Sequence, residues 1–154
     1  MKKLLLLVVA VAAIMVPAAL ATPPAQNPAD YCKGHADLVG TGTGKLYASY
    51  GACVAAQNAK ADANTTNAAK TCKTERAAGA DAFVAKYGTN KNKSDAFGKC
   101  VSKMASAKTG AEQSAEVNAA KKCRTAENTA KIGTAAGKTW RNFGACVKAQ
   151  SHTS

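Results

Sequence analysis

Six cysteines, spaced 19 to 28 residues apart and each set in one half of a thrice-recurring motif, constrain this chain more than any other feature. Three segments open with an Asn five residues before a Cys: NPADYCK from Asn27, NAAKTCK from Asn67 and NAAKKCR from Asn118. Three others close with an aromatic residue, Gly and a second Cys: YGACV from Tyr50, FGKCV from Phe97 and FGACV from Phe143. Opening and closing segments alternate, which marks three related units at about 27–54, 67–101 and 118–147.

Turn formers separate the two cysteines of each unit, at Gly40 to Gly44, Gly88 to Lys93 and Gly133 to Gly137. Between units the chain is rich in Ala, Lys, Gln and Glu, with no proline after Pro28, a composition that favours helix. The pattern predicts a short helix from about Ala29 to Leu38 and long helices from about Lys45 to Ala77 and from about Asp95 to Ala130. A last helix spans about Lys138 to Gln150, and a small extra turn near Asp81 to Tyr87 fills the longer second unit. Asp62 to Thr66 (DANTT) is the weak stretch, because Asp, Asn and Thr side chains compete for backbone hydrogen bonds.

These helices select among the 15 ways of pairing six cysteines. Cys53 and Cys72 fall on one helix, where 19 residues at 1.5 Å rise separate them by roughly 28 Å. A disulfide needs Cα atoms within about 7 Å, so they cannot bond, and Cys100 and Cys123 are in the same position. The expected pairs are Cys32–Cys53, Cys72–Cys100 and Cys123–Cys146. Around each long helix the two cysteines point about 100° and 140° apart, so each helix faces a different neighbour at either end. The expected fold is all-α: an antiparallel up-and-down array of long Ala-rich helices made of three disulfide-stapled α-hairpin repeats. Aromatic residues are 5% of the chain, so little apolar area is buried per helix. A staple closing a loop of this size contributes about 3 kcal/mol.

Met1-Lys2-Lys3, an apolar run from Leu4 to Val16 and the ending Pro17 to Ala21 read as a secretory signal peptide cleaved after Ala21. The alternative is an uncleaved anchor, since Leu4 to Ala21 is just long enough to span a bilayer. Residues 22–27 form a short Pro-rich segment, and 28–154 a single helical domain. The first cysteine, Cys32, lies well past the cleavage point, which argues against a lipid-modified N-terminal Cys. All six cysteines remain in the mature chain, an even number suited to three disulfides in an oxidising compartment.

Loss of Lys2 and Lys3 lowers the formal net charge from +12 to +10. That charge favours nucleic acid, acidic lipid headgroups or anionic wall polymers as partners. The alternative is a solvated helical surface, since the charge is spread along the chain.

Gly51, Gly98 and Gly144, two residues before each closing Cys, suggest a close approach of two backbones beside each staple. Tyr50, Phe97 and Phe143 are expected to pack on the adjoining disulfide. His35 and His152 fit no metal spacing, and the cysteines form no C-x2-4-C pair. GTGTGKL at Gly40 to Leu46 departs twice from the phosphate-loop pattern, with Val39 at the first glycine and Leu46 at the hydroxyl position. Glu112 and Glu116, one helical turn apart, are assigned to solvent, and Asn64-Thr65-Thr66 matches a glycosylation sequon. No catalytic residue and no cofactor is expected. Lys86, Lys91, Lys93, Lys99 and Lys103 gather around one loop and helix start, where backbone N–H groups could hold an anion. Asp95 opposes this, because it already complements the helix dipole.

The run ADAFVAKYGTNKNKSDAFGKCVSKMA, preceded by CKTERAAG, resembles a segment of small secreted bacterial proteins of uncharacterised function. It covers about a third of the mature chain and implies no activity. The resulting expectation is a secreted, non-enzymatic cationic protein that binds anionic envelope or extracellular polymers. A purely structural envelope spacer is one alternative. A membrane-active or antimicrobial protein is another, and it would require apolar helix faces richer in Leu, Phe or Trp than these alanine-rich segments.

Overall fold

A computed structural model describes residues 24–152, and the signal peptide expected over 1–21 lies outside the described residues. The helices are α1 (Pro28–Gly34), α2 (Tyr50–Ala78), α3 (Ala80–Tyr87), α4 (Ala96–Cys123), α5 (Ala126–Ala130) and α6 (Phe143–Ser151), with a 3-10 turn at Ala36–Leu38. Pro28 starts α1, where its fixed φ suits the first helical position, and the Asn27 side chain accepts the Ala29 N–H at 2.9 Å. Asn67 and Asn118 hold the same motif position, yet each lies inside a longer helix, because Ala follows them instead of Pro.

Two helix starts come later than expected. Gly44 and Gly137 lie at φ +81° and +84°, a left-handed turn that suits glycine. The chain then runs extended, and Val39 bridges Tyr47 as Ile132 bridges Trp140. The N–H groups of Gly40 and Gly133 donate to the carbonyls of Tyr47 and Trp140, both at 2.8 Å. Ser49 and Asn142 then cap the helices by accepting from Ala52 N–H at 3.1 Å and Ala145 N–H at 2.8 Å. So α2 starts at Tyr50 rather than Lys45, and α6 at Phe143 rather than Lys138.

The long helix expected to reach Ala130 instead ends at Cys123, and Thr125 caps the separate α5 through Asn128 N–H. The DANTT stretch does not interrupt α2. Thr65 Oγ1 donates back to Ala61 O at 2.9 Å, and Asn64 turns its amide into the interface with α4. The extra turn of the second unit is the eight-residue α3. It stops at Gly88, where a Cβ would fall 2.5 Å from Lys93 Cβ and 2.7 Å from Val84 O.

α2 and α4 pack antiparallel: Gln57 meets Glu116, Asn64 meets Thr109 and Cys72 meets Cys100. Disulfides join Cys32 to Cys53 (α1–α2), Cys72 to Cys100 (α2–α4) and Cys123 to Cys146 (α4–α6), with Cα separations of 6.0, 6.1 and 6.0 Å. Each long helix is therefore tied to a different neighbour at either end. Apolar clusters gather around these bonds. At one end Phe83, Tyr87 and Ala96 pack on Cys72–Cys100. At the other, Tyr31 packs with Cys32–Cys53, and Leu38, Phe143 and Val147 with Cys123–Cys146.

The three glycines before the closing cysteines do not mark close backbone approach. Gly51 and Gly144 are the second residues of their helices and Gly98 the third of α4, and a Cβ on Gly98 would meet nothing within 4 Å. Phe97 and Phe143 pack on their disulfide clusters as expected. Tyr50 does not: it is 48% exposed and its hydroxyl donates to Ala29 O at 3.2 Å.

Candidate functional site

Between its two apolar ends the α2–α4 seam is polar. Helical spacing from Cys53 carries Gln57, Lys60 and Asn64 onto the side of α2 that faces α4. There Gln57 and Lys60 meet Glu116, which is only 7% exposed. Glu116 Oε1 accepts from the hydroxyls of Tyr31 and Tyr47, both at 2.7 Å, and from Gln57 Nε2 at 3.2 Å. Its Oε2 pairs with Lys60 Nζ. Burial, reinforced by the Glu116 carboxylate, pushes both tyrosine hydroxyls well above the ordinary range, so they remain protonated donors.

Gln57 Nε2 also donates to Tyr47 Oη at 2.9 Å, and turning the amide over would aim its oxygen at a carboxylate. In this orientation Gln57 Oε1 is buried without a hydrogen-bond partner. Two turns along α2, Asn64 Nδ2 donates to Thr109 Oγ1 at 3.2 Å and to Glu112 Oε2 at 2.8 Å, and Lys108 pairs with Glu112 at 3.3 Å. Glu116 is thus a buried centre and Glu112 a seam residue, which corrects their assignment to solvent. Helix periodicity on α4 could not show this, because the donors come from three other stretches of chain. Asn64, at 6% exposure, has its sequon amide closed within the fold.

Beside this centre, α2, α4 and α6 leave a groove of about 580 Å³. Ala56, Ala111 and Ala115 line it together with Leu46 and Val147, and Tyr47 and Glu116 form its inner wall. Lys60, Lys108, Glu112, Lys148 and His152 stand along it. With all its nearby donors already engaged, Glu116 has little acceptor capacity left to work as a base. Among the described residues no cluster of three His, Cys, Asp or Glu could hold a metal ion. His35 is half-buried, its Nδ1 2.9 Å from Tyr31 O and its ring 4.6 Å from the Tyr31 ring. His152 sits exposed at the end of α6.

The lysines singled out as anion ligands occupy different settings. Lys86 contacts Glu75 Oε1 at 2.6 Å and lies 4.9 Å from the Tyr87 ring centroid. Its hydrogen bond holds the Glu75 carboxyl below its usual range and raises the Lys86 ammonium in return. Lys91 and Lys93 are exposed on the loop before α4, and Lys99 and Lys103 are exposed one turn apart on α4. The Asp95 side chain reaches back into that loop, accepting the Thr89 hydroxyl and the N–H groups of Thr89 and Asn90 at 3.0 and 3.3 Å. Those bonds, led by the Thr89 hydroxyl, keep the Asp95 carboxyl low and engage two N–H groups of the loop.

Compared with protein-family models, curated proteins and solved structures, the chain finds no match.

Proposed function

We propose that this is an exported, non-enzymatic binding protein whose stapled helices hold cationic side chains toward anionic polymers. The reading rests on the imbalance between surface cations and carboxylates. Lys60, Lys86, Lys108, Arg124 and Lys131 make ion pairs. Around the Cys72–Cys100 end, Lys70, Lys73, Lys91, Lys93, Lys99 and Lys103 are exposed and belong to none of those pairs. Lys121, Lys122, Lys138 and Arg141 are placed in the same way toward the opposite end.

Three disulfides fit an extracytoplasmic setting. The matching loops at 39–47 and 132–140 support a common origin of the first and third units. Tyr50 is the one large apolar side chain left exposed among the described residues, which favours a soluble polyanion over membrane insertion. No described helix is long and apolar enough to cross a membrane.

The test is binding of the mature, oxidised protein to polyphosphate across a salt series. The logarithm of the affinity should fall linearly with the logarithm of salt concentration. Lys99→Glu with Lys103→Glu should flatten that slope by roughly one to two, with melting temperature unchanged. Salt-independent or absent binding would leave the spacer reading in its place.

A further inference from the structure

We propose that the groove between α2, α4 and α6 binds a free amphiphile of the fatty-acid class, its chain on the alanine floor and its single anionic head group against Lys148. The volume of about 580 Å³ falls within the roughly 300–1,000 Å³ of small-ligand sites. Alanines at 56, 111 and 115 give the groove an apolar lining of short side chains, leaving space that larger ones would fill.

Charge decides the head group. The charged and titratable groups facing the groove are Lys60, Lys108, Lys148, Glu112, Glu116, His152 and Tyr47, the last a protonated donor to Glu116. Both carboxylates are already held: Glu116 by Lys60 and three neutral donors, Glu112 by Lys108 and Asn64. Lys148 is exposed and lies outside every ion pair named above. One cation in excess complements one negative charge, whereas a polyanion would bring further charges toward Glu112. The apolar surface lies recessed between three helices, which suits a single chain rather than a bilayer. This site is separate from the lysines of the polymer-binding reading and does not depend on it.

The experiment titrates the oxidised mature protein with sodium dodecanoate below its micelle concentration, followed by NMR shift mapping and calorimetry. Shifts should centre on Ala56, Ala111, Ala115 and Val147. Lys148→Glu should weaken binding about tenfold, and dodecylammonium, with the same chain and opposite charge, should bind about tenfold more weakly than dodecanoate. Ala115→Trp should abolish dodecanoate binding and leave polyphosphate binding as in the wild type. Should that variant fail to fold, Ala56→Leu applies the same block from α2. Equal affinity for the two amphiphiles, shifts outside the groove, binding retained when the floor is filled, or attachment only to acidic vesicles would overturn the assignment.

Discussion

Glu116 gathers its donors from α1, the loop before α2, and α2 itself, across sequence separations of 85, 69 and 59 residues. A buried carboxylate is costly unless its acceptor sites are filled, and here hydroxyls and an amide fill one oxygen while an ammonium takes the other. The two kinds of partner are not equivalent. Tyr31 is 1% exposed and Gln57 wholly buried, so removal of Glu116 strands polar groups that water cannot reach. The Lys60 side chain retains 35% exposure and can turn to solvent. Glu116→Ala is therefore expected to cost about 3–5 kcal/mol in urea unfolding, from about 1–3 kcal/mol for each buried donor it strands. Lys60→Met should cost less, because water entering at the part-exposed Lys60 position can hydrate Oε2 while the three neutral donors stay in place. The reverse order would mean that the ion pair, and not the tyrosines, holds the carboxylate in place.

At the scale of elements, the loop over 39–47 is fastened to the end of α4 by one side chain. Arg124 Nη1 pairs with Asp37 Oδ2 at 2.5 Å, and Nη2 donates to the carbonyls of Asp37 and Gly44 at 3.0 and 3.1 Å. Partial burial alone would raise the Asp37 carboxyl, but the Arg124 hydrogen bond and charge outweigh it and hold it below the usual range. A depressed carboxyl adds stability that is present above its unfolded value, about pH 4, and lost as pH falls through the folded value. Asp37→Asn should thus lower the melting temperature at pH 7, with the difference from wild type shrinking toward pH 2. A constant difference at both pH values would show that the pair does not carry it.

Much at this level is legible in the sequence. The cysteines fixed which helices must be neighbours, because a continuous helix keeps Cys53 from Cys72. Helix ends are less legible, since Gly44 and Gly137 do not announce that the next residues run extended. The signal for the true starts was present in Ser49 and Asn142, cap-forming residues directly before the first aromatic of each helix. The polar seam was harder to see. Gln57, Lys60 and Asn64 look like ordinary surface residues of a helix until Tyr31, Tyr47 and Glu116 are brought against them.

Taken whole, the molecule is two long rods held at both ends, with a polar centre between apolar, sulfur-centred clusters. With so few large side chains, the staples matter more than in a well-filled core, and each closes a loop of 21 to 28 residues, a contribution of about 3 kcal/mol. Lysine-bearing ends, the groove and the Glu116 centre all keep their relative placement only while α2 and α4 stay unbroken and each joins a different helix at either end. Peptide mapping of the oxidised protein under non-reducing conditions tests this most directly. It should recover Cys32 linked to Cys53, Cys72 to Cys100 and Cys123 to Cys146, whereas a peptide joining Cys53 to Cys72, or Cys100 to Cys123, would contradict it.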